Sequence, residues 1–198
     1  MKTNQLLFMV LLLVTAAVFQ LRAQQNEADG KVLAEIRAGA DKGDAKAQYE
    51  LGRAFFSGTL GVAKDEAEAV KWFRKAAEQN VSDAQFGLGV CYAIGRGVTK
   101  DDAEAVKWFR KAAEQNYADA QYNLGVCYDT GEGVAKDEIE AYKWWLLAAG
   151  HGNDDAKYNV TIVENKMTRE QIAEGQRLAR EFKPRKLPSE GSDARLPP

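Results

Sequence analysis

Trp72, Trp108 and Trp144 stand 36 residues apart, each inside a near-copy of one motif: DEAEAVKWFRKAA from Asp65, DDAEAVKWFRKAA from Asp101 and DEIEAYKWWLLAA from Asp137. A motif recurring at a fixed period of about 20 to 50 residues marks a stacked array, because one such unit cannot bury its apolar face alone. In the middle copy Ala105, Trp108, Phe109, Ala112 and Ala113 fall at i, i+3, i+4, i+7 and i+8, one stripe of an α-helix. All the tryptophans fall on this stripe, which makes them core. Asp101 and Glu104 have the spacing of a capping box, with the Asp accepting a first-turn N–H and the Glu reaching back to the cap. Asp65 with Glu68 and Asp137 with Glu140 repeat it. The cap geometry accounts for these acids without a catalytic role.

A second amphipathic segment precedes each copy: AKAQYELGRAFF, DAQFGLGVCYAI and DAQYNLGVCYDT. Ala84, Leu88, Cys91 and Tyr92 form the buried stripe of the middle one, with Ala47, Leu51, Ala54 and Phe55 as counterparts in the first. Gly52, Gly89 and Gly125 share one slot inside these helices, where glycine costs about 1 kcal/mol relative to alanine. Three such costs at one slot predict close approach by the aromatics of the second helix. The connecting loops SGTLGV, IGRGV and TGEGV supply turn glycines, with Val62, Val98 and Val134 pinning them to the core. The expected fold class is all-α.

The flanks read as caps. Lys31 to Ala40 should be a helix with Val32, Leu33 and Ile36 inward, giving a cap at 31–43, repeats at 44–81, 82–117 and 118–152, and a half repeat with C-terminal cap at 153–182. In that half repeat Asp155, Ala156, Tyr158, Asn159 and Val160 echo the first helix, but the Leu-Gly pair has become Val160-Thr161. Thr168 with Gln171 opens a last helix. Its Ile172, Leu178 and Phe182 can dock while Glu170, Glu174, Arg177 and Glu181 face water, as an end cap of a solenoid requires. Residues 183–198 hold all four prolines and no apolar period, the signature of a disordered tail.

At the other end, Lys2 precedes an apolar run from Leu6 to Phe19, interrupted only by Thr15. It is shorter than the roughly 20 residues of a membrane span and suits the core of a secretory signal. Residues 1–23 are therefore expected to be a signal peptide and 24–30 a flexible segment. The product would be secreted or periplasmic, touching membrane only in transit. Of 27 basic residues, removal of Lys2 and Arg22 leaves 25 against 29 acidic ones. No basic patch remains for nucleic acid.

Cys91 and Cys127 occupy one slot in successive repeats. Packed helix layers lie about 8 to 10 Å apart, beyond the roughly 7 Å between Cα atoms that a disulfide tolerates, so both are expected free. His151, the lone histidine, sits in a Gly-His-Gly turn after a helix. The sequence has no zinc-type Cys/His spacing, no phosphate loop and no serine nucleophile motif, and no cofactor is expected.

The pattern A-x-x-x-L-G-x-x-[YF], a G-x-G-V-type loop, D-x-x-x-A-x-x-W and A-A, repeated at 36, resembles the Sel-one-like repeat (SLR) family, relatives of the tetratricopeptide repeats. The resemblance covers Lys31 to Phe182. It implies a right-handed superhelix of antiparallel helix pairs with the first helices lining a concave face. It further implies a binding groove at Lys46, Tyr49, Glu50 and Arg53 in repeat one, Asp83, Phe86 and Val90 in repeat two, and Asp119, Tyr122, Asn123 and Val126 in repeat three. Charged near Arg53 and apolar at Phe86 and Val90, such a groove suits an extended peptide or a partner helix. Tyr49, Phe86 and Tyr122 could equally pack between helices. The expected function is an exported, monomeric, non-enzymatic scaffold for a protein or peptide. Two other roles follow from the resemblance: β-lactam binding or hydrolysis, linked to cysteine-rich relatives whose repeats carry cysteine pairs absent here, and glycan or peptidoglycan binding through exposed aromatics.

Overall fold

The computed structural model of the protein describes residues 2–185, with side chains from residue 15 onward. Among these residues all regular structure is helical: α1 (Lys2–Asp41), α2 (Ala45–Ser57), α3 (Glu66–Glu78), α4 (Ser82–Ile94), α5 (Asp102–Ala113), α6 (Ala118–Thr130), α7 (Glu138–Gly150), α8 (Asp154–Glu164) and α9 (Arg169–Glu181). The pairs α2/α3, α4/α5 and α6/α7 are the three repeats. Each helix also packs on the next along the chain as far as α8, whereas α9 returns to α7. The fold is an all-α solenoid of antiparallel helix pairs.

Each second helix starts where its aspartate caps it. The Asp65 and Asp101 carboxylates accept the N–H groups of Glu68 (2.9 Å) and Glu104 (3.0 Å), and Asp137 accepts those of Ile139 and Glu140. Only half of the expected capping box forms. The N-cap N–H that the glutamate would reach is already donated across the pair, from Asp65 to Phe55 O (2.8 Å), Asp101 to Tyr92 O (3.0 Å) and Asp137 to Tyr128 O (2.9 Å). The glutamates turn instead to lysines one turn on: Glu68 to Lys71, Glu104 to Lys107 and Glu140 to Lys143. The full box forms at Thr168 and Gln171, where α9 begins.

The core falls into two clusters, one running from Ala69 in α3 to Trp144 in α7 and a second around Ala141, Tyr142, Trp145 and Ala156 at the last rung. Ala84, Leu88, Cys91, Tyr92, Ala105, Trp108, Phe109, Ala112 and Ala113 are all buried. A Cβ on Gly52, Gly89 or Gly125 would fall 2.7, 2.6 or 2.6 Å from Phe73, Phe109 or Trp145, the close aromatic approach that the slot implies. Gly97 and Gly133 serve the stacking between repeats. Their loops lie so close to the preceding second helix that a Cβ would sit 2.1 Å from Glu66 O or Asp102 O.

Trp108, Trp144 and Trp145 are buried, but Trp72 is only half-buried, with the Lys75 ammonium 3.8 Å from its ring centre. The chain returns over Trp144, where Phe182 meets the indole edge-on at 5.4 Å; it does not reach back to Trp72 within the described residues. Beyond Phe182, the Arg185 N–H donates to Glu114 O at 2.7 Å, so the segment at 183–185, expected to be loose, is tied to the end of α5. The rest of the expected tail lies outside the described residues.

The N-terminal cap also departs from expectation. Residues 24–30 are not a loose segment but part of α1, supported by the i,i+4 pairs Gln25–Asp29 (2.8 Å) and Glu27–Lys31 (2.7 Å). Val32 faces outward at 44% exposure, leaving Leu33, Ile36 and the buried Ala40 to meet the array.

Candidate functional site

α2, α4, α6 and α8 present equivalent positions along one face of the stack. All eleven residues assigned to the groove lie on the first three of these helices, and none is buried. Tyr49 stands 5.9 Å from Phe73, and Phe86 stands 5.9 Å from Phe109 and 5.1 Å from Tyr117. The Trp145 indole N–H donates to Tyr122 O at 3.2 Å. The glycine of each Leu-Gly pair thus admits a second-helix ring that the first-helix aromatic then covers. Tyr49, Phe86 and Tyr122 do both things considered for them: they pack between helices and keep an outer edge in solvent.

The two ends of the face differ. At the first repeat Arg53 stacks over Tyr49 at 5.8 Å, and with Glu50 it lines a cleft of about 330 Å³ together with Ile36, Ala54, Ser57, Thr59 and Leu60. Asp83 and Asp119 follow at the slot held by Lys46 in α2. Asp83 accepts from the Tyr117 hydroxyl at 3.4 Å, and Asp119 accepts from the Asn153 amide at 3.0 Å. Burial, then the Asp83 carboxylate, pushes the Tyr117 phenol up to about 12, and the same two causes raise Tyr49. These tyrosines therefore sit within the field of the acids. Asn123 folds back onto its own helix, donating to Asp119 O at 2.8 Å.

The face continues onto α8, beyond the residues expected from the sequence to form the groove. α8 carries Asp155, Tyr158, Asn159 and Ile162 at the slots of Asp119, Tyr122, Asn123 and Val126, and Tyr158 and Ile162 are 68% and 37% exposed. The signal was the Ala156–Tyr158 echo. Its reason for standing open is the lost glycine: Thr161 fills the slot that admits a second-helix ring in the other pairs, and α9 packs on α7 instead of α8. A small cleft of about 90 Å³, lined by Asp129, Trp145, Asn159, Ile162, Val163 and Lys166, separates the third and fourth rungs.

A buried polar column, not expected from the sequence, runs through the array. Gln48, Gln85 and Gln121 are buried at one slot and donate back to Ala40 O (3.2 Å), Ala77 O (3.0 Å) and Ala113 O (3.1 Å). Gln79 and Gln115 donate to the side-chain oxygens of Gln48 (2.8 Å) and Gln85 (2.6 Å). These amides tie each first helix to the turns on either side and hold the rungs in register. His151 occupies the third donor's place and lies exposed, leaving Gln121 Oε1 without a partner.

Cys91 and Cys127 are both free, and burial pushes both thiols up to about 11. No group of three or more His, Cys, Asp or Glu side chains stands together as a metal site among the described residues.

A family model described as the Sel1 repeat matches residues 45–81, 82–117 and 118–153. Among solved structures, a Sel1 repeat protein from Oxalobacter formigenes is 42% identical with a TM-score of 0.62, the match covering 66% of this chain and 98% of that one. A protective antigen present in uropathogenic Escherichia coli strains, displaying an SLR fold, is 32% identical with a TM-score of 0.59, covering 77% of this chain and 40% of that one. Comparison with curated proteins returns no match.

Proposed function

The chain belongs to the Sel1 repeat family, and from that premise we propose that it is an exported, non-enzymatic scaffold that holds a protein or peptide along the concave face of α2, α4, α6 and α8. The observation that carries the reading is the run of solvent-accessible side chains repeated rung by rung on that face, from Arg53 to Ile162, above a core that holds the rungs in register. Such an array offers an extended ligand many similar contacts at fixed intervals, an economical way to recognise a polypeptide and a poor way to surround a small substrate. Export rests on the apolar run Leu6 to Phe19 behind Lys2.

The test pairs location with contact. Fractionation of the producing cells should find the protein outside the cytoplasm. A partner recovered with the wild-type protein should be lost when Lys46, Glu50 and Arg53 are replaced together by alanine, and kept when the second-helix residues Lys71, Lys107 and Lys143 are replaced. Loss through the second set alone would move the binding surface to the other face.

A further inference from the structure

Charge is sorted between the two kinds of helix. α4 and α6 contain no lysine or arginine, whereas α3, α5 and α7 hold Lys71, Lys107 and Lys143 in ion pairs with glutamates of their own first turns. On the first-helix face Asp83, Asp119 and Asp155 form one edge of the second, third and fourth rungs. Among the described residues none of them has a lysine or arginine within ion-pair distance; the donors to Asp83 and Asp119 are the neutral Tyr117 hydroxyl and Asn153 amide. The same slot holds Lys46 in α2, whose start is capped by Asp44; α4 and α6 follow Val81 and Tyr117 without a side-chain cap, and α8, capped by Asn153, carries Asp155 beside a second first-turn acid, Asp154. Seven residues further along each helix, about 10 Å by helix rise, Val90, Val126 and Ile162 form the opposite edge. Between the two edges lies the row of Gly87, Asn123 and Asn159.

This geometry has a natural complement. A chain laid extended over the middle row points alternate side chains to opposite sides, one set toward the carboxylates and the other toward the aliphatic edge. Accepting the concave face as the binding surface, we propose that its partner is an extended polypeptide segment with basic and aliphatic side chains in alternation, the cations facing Asp83, Asp119 and Asp155 and the aliphatic groups seated on Val90, Val126 and Ile162. With rungs about 8 to 10 Å apart and about 3.3 Å per extended residue, some six residues span the three rungs. Tyr158, uncovered, anchors the end that lies on α8.

The experiment uses the full chain and a fluorescein-labelled peptide of three Lys-Leu pairs flanked by Gly-Ser, with Glu-Leu and Lys-Ser versions as comparisons, read by anisotropy at two salt concentrations. The Lys-Leu peptide should bind more tightly than the Lys-Ser peptide, which keeps the cations but loses the aliphatic contacts, and about 10-fold more tightly than the Glu-Leu peptide, three exposed ion pairs worth on the order of twofold each multiplying to that margin. Replacing Asp83, Asp119 and Asp155 together by asparagine should remove that margin and the salt dependence. Tyr158→Ala with Ile162→Ala should weaken binding while leaving the salt dependence, and circular dichroism melts establish that both variants fold. Equal binding of the Glu-Leu peptide, no binding of the Lys-Leu peptide, or an unchanged triple variant overturns the proposal. If any of these occurs while the Lys46, Glu50 and Arg53 replacement still releases a natural partner, the concave face stands and only the assigned partner chemistry falls.

Discussion

Replacing His151 by glutamine should stabilise the protein. In the first two repeats the buried amides of Gln48 and Gln85 are satisfied at both ends, with Gln79 and Gln115 donating at 2.8 and 2.6 Å. Gln121 is fully buried, donates to Ala113 O at 3.1 Å, and has no donor for Oε1. Residue 151 stands 36 positions after Gln115 and closes α7 as Gln79 closes α3. An unsatisfied buried acceptor costs about 1 to 3 kcal/mol, and a typical new hydrogen bond returns about 0.5 to 1.5 net of its ordering cost. A gain of about 1 kcal/mol is expected, which for a chain of this size raises Tm by roughly 2 to 4 °C. Urea unfolding followed by tryptophan fluorescence measures it, since Trp144 and Trp145 lie in the same helix. The decisive control is a double-mutant cycle with Gln121→Leu, in which no acceptor remains and the gain should vanish. A gain that persists in that background, or none in the wild type, would refute the ladder as its source.

Three further outcomes follow from the packing. Gly89→Ala and Gly87→Ala should change stability in opposite directions. The first puts a Cβ 2.6 Å from the buried Phe109 ring and should lose about 1 to 2 kcal/mol net of the helix-propensity gain, while the second meets only an ordinary contact 3.8 Å from Phe73 and should gain up to about 1 kcal/mol; thermal melts of the two decide it. The Arg96 guanidinium, followed by Lys64, holds the Glu66 carboxyl at about 2, against an ordinary 4.5. Because that folded value is depressed, its contribution is complete above the ordinary range and fades as pH falls toward 2. Arg96→Ala should therefore lower the urea midpoint at neutral pH, and the deficit should narrow toward pH 2 to what the stack of Arg96 over Phe56 contributes. With both thiols raised to about 11 by burial, roughly one part in a thousand is thiolate near pH 8. Ellman's reagent should label native Cys91 and Cys127 slowly and both at once on denaturation; a single mass corresponding to a Cys91–Cys127 disulfide would contradict the rung spacing.

The local signals in the sequence were those whose physics is local. Asp65, Asp101 and Asp137 cap helices because the N–H groups they satisfy lie within the next turn, and the apolar stripe through Trp108 and Phe109 repeats with the helix itself. The misread features depend on partners that no local window contains. Glu104 has the spacing of a capping box, yet it does not close one because Tyr92, on the neighbouring helix, has already taken the N–H it would reach. Residues 24–30 look polar and loose, but polarity does not break a helix whose charges pair at i,i+4. Tyr158 was visible as an echo of Tyr122, but its exposure depends on Thr161 closing a slot that matters only across the helix pair.

Gln48, Gln85 and Gln121 show how such partners can still be inferred. A glutamine within an amphipathic helix ordinarily reads as surface, and nothing adjacent in the chain corrects that reading. A polar side chain that returns at one slot in every repeat, flanked each time by alanine and an aromatic, occupies the same environment each time. In a stacked array the environment that repeats most faithfully is the one between rungs. Gln79 and Gln115 then belong with it, since they return at the same 36-residue interval, and the sequence marks residue 151 as the place where the column breaks. The period thus carries tertiary information that hydropathy does not: residues that share a slot share neighbours, and a change at one slot in one repeat locates a buried group left without its partner.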